Sequence, residues 1–254
     1  MKDVRFYGQG LPYRKLGNLK GHLIAIEGTD NVGRSTQIER LIPWLELQGH
    51  GVTSTRWTRS ALLFDTINQA KAGHRLNMST FALLYATDFA DRLENEIIPA
   101  LEAGRVVLAD RYMYTAFARS KAMGADPAWS RALFGFALIP DLVLYLKIDV
   151  ETLIPRALEG KGINYWESGM HLGYGKDLFE SFRNYQRRMI REFNAMAQEF
   201  GFVTVDARRR PELIQTQLRR HIGGLLNVAA DSPAAAGANG TALAGNPDLP
   251  ASVK

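Results

Sequence analysis

Residues 22–37 read HLIAIEGTDNVGRSTQ. The apolar run His22–Glu27 enters a turn, and beyond it Ile38, Leu41, Ile42 and Leu45 recur at helical spacing, with Pro43 expected to kink that helix. From Gly28 to Ser35 the chain fits the pattern G-x-x-x-x-G-K-[ST] at every defined position except one, because Arg34 stands where lysine is expected. A strand before and an amphipathic helix after form the context in which this pattern binds phosphate. Main-chain N–H groups of such a turn, with the N-terminal end of the helix, concentrate partial positive charge around an anion. The expected phosphate-binding loop is Gly28, Thr29, Asp30, Asn31, Val32, Gly33, Arg34, Ser35 and Thr36, in which Gly28 and Gly33 permit close backbone approach. Ser35 is placed to offer its hydroxyl to Mg2+. A strand-to-helix turn that merely carries glycines is the alternative reading.

Arginine keeps the charge of the expected lysine and changes its shape from a compact ammonium to a planar fork. A fork grips phosphate oxygens bidentately, so nucleotide binding is expected to survive. Turnover then depends on where the larger head sets the transferred phosphoryl group.

Working outward, 254 residues are enough for one sizeable core. Hydrophobic residues at 46% and charged residues at 22% are ordinary for a globular chain. The longest apolar runs, such as LVLYL at 142–146, are too short to span a bilayer, and MKDVRFYGQG lacks the apolar core of a secretory signal. The expectation is a cytoplasmic protein. Without cysteine there are no disulfides, no thiolate catalysis and no cysteine-ligated metal, and the five histidines show no ligand spacing. The net charge of +5 includes clusters at Arg187–Arg188 and Arg208–Arg210, read either as solvated helix faces or as attraction for a small polyanion. No recognition motif points to nucleic acid.

Short apolar runs at His22–Glu27, Gly51–Arg56, Arg105–Asp110, Asp141–Ile148 and Phe202–Asp206 read as strands covered on both faces. Helical stripes alternate with them: Phe81, Leu84, Tyr85, Phe89, Leu93 and Ile97 in one, and Phe182, Tyr185, Met189 and Phe193 in another, within 179–200. That alternation implies an α/β sandwich with right-handed crossovers. The division expected is an extension over residues 1–20, a domain over 21–226, and a disordered tail over 227–254 rich in Ala, Gly and Pro.

Together with the loop, the stretches LLYATDFADRLENEIIPALEAGRVVLADRY, PDLVLYLKID and FESFRNYQRRM resemble the thymidylate kinase family of P-loop nucleoside monophosphate kinases. The resemblance runs from about Gly21 to about Leu226 and implies a three-layer P-loop sandwich with a five-stranded parallel sheet. It further implies ATP as donor, Mg2+, phosphorylation of a nucleoside monophosphate with dTMP favoured, and often a homodimer. By the same resemblance Asp110 and Arg111 match the family's DR pair, Asp110 toward Mg2+ and Arg111 toward the acceptor phosphate. Arg34, Asp110 and Arg111 are thus the expected catalytic set, with Ser35 and Asp110 as metal ligands. Asp30 matches the carboxylate that receives the acceptor sugar, Tyr85 the aromatic residue on the base, and Thr115 the small hydroxyl after DRY. A turn-stabilising role for Asp30 and a core position for Tyr85 are the competing readings.

The chain also departs from that family. Phe89 in ATDFAD stands where an arginine usually reaches thymine, and TAFARSK after DRY brings Arg119 and Lys121 toward the acceptor side. A lid around 156–176 reads NYWE at 164–167, leaving Arg156 and Lys161 as lid cations, and Asn31 fills another customary arginine position. Arg34 is therefore expected to combine anchoring with stabilisation of transition-state charge. A kinase for another small acceptor, or a nucleotide-binding protein with weak turnover, remain the alternatives.

Overall fold

The computed structural model describes residues 4–58, 60–72, 77–160 and 162–229. Lys161 and residues 230–254 of the expected tail lie outside the described residues.

Five parallel strands form one sheet in the order β2-β3-β1-β4-β5. They are β1 (His22–Glu27), β2 (Val52–Arg56), β3 (Val106–Asp110), β4 (Leu142–Lys147) and β5 (Val203–Asp206), each within a residue of the run expected from sequence. Because strand side chains alternate between faces, a run apolar at every position feeds two cores. Leu23 and Ala25 of β1 and Val143 and Tyr145 of β4 enter one core. Ile24 and Ile26 of β1 and Leu144 and Leu146 of β4 enter the other.

The helices supply the two outer layers. On one face α1 (Arg34–Leu47) packs beside α9 (Pro211–Leu226), through Ile38, Leu41, Trp44 and Leu45 on one side and Ile214, Leu218 and Ile222 on the other. α1 runs on past Pro43 as a single helix. On the opposite face lie α3 (Met78–Arg92), α4 (Ile98–Glu102), α5 (Met113–Ala122) and most of the stripe of α8 (Leu178–Glu199). α2 (Phe64–Ala72), α6 (Pro127–Leu133) and α7 (Val150–Glu159) complete the described helices.

A π-helical turn, Leu93–Ile97, separates α3 from α4. The apolar positions 81, 85, 89, 93 and 97 repeat every four residues, and at about 100° per residue that stripe over-rotates by roughly 40° each step. The wider π turn takes up the drift and keeps Leu93 and Ile97 fully buried. Residues 4–20 pack onto the domain: Tyr7 N and Gly8 N donate to Ala137 O and Gly135 O, each at 2.8 Å, and Arg14 forms a forked pair with Glu102.

β1 has β3 on one side and β4 on the other, so crossovers leave in both directions from its carboxyl end. In open α/β sheets the crevice at such a reversal receives the ligand. Register sets what stands there, with Ile26 of β1 and Arg56 of β2 both opposite Asp110 of β3.

Candidate active site

α7 and α8 begin with Asp149 and Asp177, whose carboxylates accept from Thr152 N and Glu180 N, each at 2.7 Å. α1 begins instead with Gly33, in a left-handed conformation and with no side-chain cap. Its first N–H groups are thus left for an outside anion. Gly28 is also demanded by space: its φ is +145°, and a Cβ there would lie 2.9 Å from Leu146 O. Asn31 takes a left-handed φ of 61°. Val32 turns its side chain into the core, so only its main chain serves the loop, and Thr36 faces solvent. Thr29 Oγ1 and Asn31 Nδ2 are buried without a protein partner among the described residues.

Arg34 is folded into the loop. Its Nε donates to Asp110 Oδ1 at 2.8 Å, and Nη1 donates to Gly28 O at 2.6 Å and to Thr29 O. A guanidinium has five N–H donors. Those bonds leave Nη2 without a partner among the described residues, on a side chain that lines the main cavity. Asp110 Oδ2 receives Ser35 Oγ at 2.9 Å and the guanidinium of Arg56 at 3.2 Å. Burial alone would raise the Asp110 carboxyl, but Arg34 and Arg111 outweigh it and hold the group below the usual carboxylate range. Ser35 Oγ and an ionised Asp110, side by side at an uncapped helix start, form an oxygen donor set that suits a hard cation such as Mg2+. Among the described residues no cluster of three or more histidines and carboxylates offers another metal site.

Arg111 follows β3 with φ at 73°, an uncommon conformation for a side-chain-bearing residue of the kind concentrated at ligand sites. Its Nη2 donates to Asp30 Oδ1, and its main-chain N to Ile26 O at 3.1 Å. Arg119 reaches Asp30 Oδ2 at 3.4 Å. Burial would raise Asp30 as well, but Arg111, Arg119 and Arg34 pull it down to about 2. Burial and the nearby Arg34 charge lower Arg111 to about 10, which leaves it charged at neutral pH.

The turn that carries Arg111 is held by Glu27, which sequence reading left as the last residue of a strand. Glu27 is fully buried, accepts from Tyr112 N at 2.9 Å and Thr115 N at 3.2 Å, and receives Thr115 Oγ1 at 2.6 Å. Burial pushes its carboxyl up to about 7 despite those three donors. Thr115 is spent on this contact and does not line the cavity, a correction to its expected place beside the acceptor.

In front of the loop opens a cavity of about 520 Å3. Asp30, Arg34, Ser35, Arg56, Asp110 and Arg111 line one end. Trp57, Phe81, Tyr85 and Trp166 line the other, with Tyr85 stacked on Phe81 at 4.3 Å and Phe81 stacked on Trp166 at 6.0 Å between ring centroids. Tyr85 is therefore buried in the aromatic cluster and also borders the cavity. Residues 164–167 and His171 cover this end, and Trp166 Nε1 donates to Lys71 O at 3.2 Å.

Several cations stand elsewhere than the sequence suggests. Arg156 belongs to α7 and donates to Ala207 O at 2.7 Å, beyond β5 and outside the segment that covers the cavity. Lys121 turns to Glu192 of α8, at 2.7 Å. The clusters at Arg187–Arg188 and Arg208–Arg210 are exposed, as the solvated-face reading expects, with Arg187 paired to Glu151 and Arg208 to Asp206. Arg56 and Trp57 were not singled out from sequence; Arg56 ends an edge strand and only its register beside Asp110 marks it, and Trp57 follows it into the cavity lining.

An uncapped glycine loop, a DR turn at the end of the neighbouring strand and an aromatic-lined cavity coincide with a match between residues 26–218 and the family model described as Thymidylate kinase. The chain belongs to the thymidylate kinase family. It is 36% identical over 207 residues to "Probable thymidylate kinase 2" of Saccharolobus solfataricus, a match covering 81% of this chain and 97% of that protein. It is 35% identical over 144 residues to "Probable thymidylate kinase" of Pyrococcus abyssi, covering 54% and 70% of the two chains. "Thymidylate kinase" of Clavibacter sepedonicus is 40% identical over 137 residues, covering 52% and 65%. As a member of the family the chain is an ATP-dependent nucleoside monophosphate kinase that phosphorylates dTMP. No helix among the described residues is long and apolar enough to cross a membrane.

Proposed function

We propose that the uncapped loop holds ATP, that the cavity holds dTMP, and that Arg34, Asp110 and Arg111 are the catalytic set. The observation that supports this reading best is the environment of Asp110. One carboxylate gathers Arg34 and Ser35 from the loop and Arg56 from the acceptor end, so it sits between the two phosphate groups that must meet.

In this reading the loop amides and the start of α1 surround the β- and γ-phosphates. Arg34 pins the loop through Gly28 O and Thr29 O and turns Nη2 toward the donor. Ser35 and Asp110 would hold Mg2+, which, when bound, neutralises charge on the donor phosphates. Arg111 and Arg56 hold the acceptor phosphate, whose oxygen attacks the γ-phosphorus in line while the bond to the bridging oxygen of ADP breaks. Asp30 receives the sugar hydroxyl once the acceptor draws the guanidinium of Arg111 away, and Tyr85 meets the base. The protein contributes position and charge rather than a covalent intermediate. Closure of the segment around 162–176 keeps water from competing for the phosphoryl group. Cytoplasmic location and a homodimer complete the proposal. Leu62 and Leu83, 68% and 50% exposed, offer apolar surface for a second copy.

A coupled ADP-release assay across nucleoside monophosphates, with calorimetric titration of ATP, tests the assignment. ADP release that requires dTMP and Mg2+ is the expected result. ATP binding without dTMP-dependent release would overturn it, as would release only with a different acceptor.

A further inference from the structure

A second chamber of about 290 Å3 adjoins the acceptor cavity. Trp57, Phe81, Tyr85, Arg119 and Met123 line both, and Ala82, Ala116 and Trp129 help close the second. Arg34, Arg56 and Arg111 border only the main cavity, at the end where the phosphates are assigned. Among the described residues Arg119 is the one arginine that lines both chambers, so its side chain spans from Asp30, which its Nη2 faces, to the aromatic residues the two chambers share.

Arg119 is poorly satisfied there. Its Nη2 makes one long contact, 3.4 Å, to Asp30 Oδ2, while Arg111 takes the other oxygen of that carboxylate. Its Nε is buried with no partner. A buried N–H left unpaired is costly, and a ligand that supplies an acceptor there regains that cost on binding. Guanidinium donates and never accepts, so the group it meets must be an acceptor oxygen or nitrogen. The acceptor phosphate has Arg111 and Arg56 at the far end, and the sugar hydroxyl has Asp30. What remains for the aromatic end is the base, whose strongest acceptors are ring carbonyls. α3 brings no arginine to either chamber: Arg92 is buried against Asp88 and Thr55 and lines neither, and Phe89 is fully buried in an aromatic cluster with Tyr112 and Phe134, at 4.8 and 5.6 Å.

We infer that Arg119 donates to a carbonyl oxygen of the acceptor's base and is the specificity-determining residue of the acceptor site. The inference rests on the reading that this cavity takes a nucleoside monophosphate. Two measurements test it. In Arg119→Met, the KM for dTMP should rise about 10- to 100-fold, the worth of a charge-assisted hydrogen bond. The KM for ATP should stay near the parent value, and the inhibition constant of 2-deoxyribose 5-phosphate, which has no base, should rise far less than the KM for dTMP, because Arg119 touches the sugar side only through one long contact to Asp30. In the unaltered protein, dTMP should bind about 10- to 100-fold more tightly than the deoxynucleotide of difluorotoluene, a thymine shape mimic without carbonyls. Equal weakening of dTMP and the sugar phosphate would put Arg119 on the sugar–phosphate instead and overturn the inference. So would equal binding of the shape mimic by the parent, a result independent of whether the variant folds. If the unaltered protein neither binds nor phosphorylates dTMP, the acceptor reading beneath the inference falls first and takes it along.

Discussion

Arg34 and Asp110 form a buried ion pair across the seam between β1 and β3, Nε to Oδ1 at 2.8 Å, with side-chain exposures of 8% and 5%. The residue that replaces the expected lysine is therefore bound to the carboxylate that also holds Ser35. A lysine has one head group and cannot meet Asp110, two loop carbonyls and a phosphate in the same fork geometry.

Arg34→Lys should therefore lower kcat by about tenfold or more, as expected when one or two charge-assisted hydrogen bonds are lost, with a smaller change in the KM for ATP. ADP release at saturating ATP and dTMP measures it. A lysine variant as fast as the parent would remove Arg34 from the catalytic set.

Glu27 makes stability fall as pH rises. Its folded carboxyl sits at about 7 against an ordinary 4.5, because burial penalises the carboxylate more than its three donors favour it. A raised acid stabilises the fold fully below about 4.5, and the contribution is lost as pH climbs through about 7. The effect is on the order of 3 kcal/mol at most. Denaturant titrations of the parent and of Glu27→Gln between these limits should show the slope in the parent and its loss in the variant. Parallel curves would mean that Glu27 does not titrate there.

Asp88 and Arg92 pair at 3.0 Å with both side chains fully buried, and Asp88 also accepts from Thr58 N and Ser60 N, each at 3.1 Å. This pair holds the segment that follows Arg56 and Trp57. Asp88→Ala leaves a buried cation uncompensated, at a cost of about 3–5 kcal/mol. Urea unfolding should show a midpoint shift of that size, together with weaker dTMP binding from the loosened segment. A shift below about 1 kcal/mol would contradict the structural role.

Phe89→Arg tests whether thymine recognition can be restored at the family's customary place. The position has no exposure and sits among Trp57, Tyr112, Phe134 and Phe136. An arginine there buries an unpaired charge, so the expected outcome is a severely destabilised protein with no gain for dTMP. A folded variant with a lower KM for dTMP would show that the cluster opens to the cavity.

The loop with its strand and helix was legible in the sequence because each is a local pattern, a fixed glycine spacing, a two-sided apolar run and a helical stripe, whereas the DR pair was expected only through the family resemblance. The place of Asp30 in the loop was local too, while its part toward the acceptor came from the resemblance. Glu27 and Arg56 were not legible as site residues. One looks like the end of a strand, and the other becomes significant only when β2 is registered against β3 so that Arg56 lies opposite Asp110. Helix rotation was equally hidden. Arg119 and Lys121 are two residues apart on α5, about 200° around its axis. One faces the acceptor cavity and the other pairs with α8.

The order of short-range spacings thus determined that this chain has a parallel sheet and a phosphate loop, since backbone geometry within a few residues follows from the residues themselves. Which cations share Asp110 and Asp30, which hydroxyl is taken up by Glu27, and which arginine lines both chambers were decided by tertiary structure. Those contacts join positions 54 to 89 residues apart, and the pairing of strands and the rotation of helices bring them within hydrogen-bond reach.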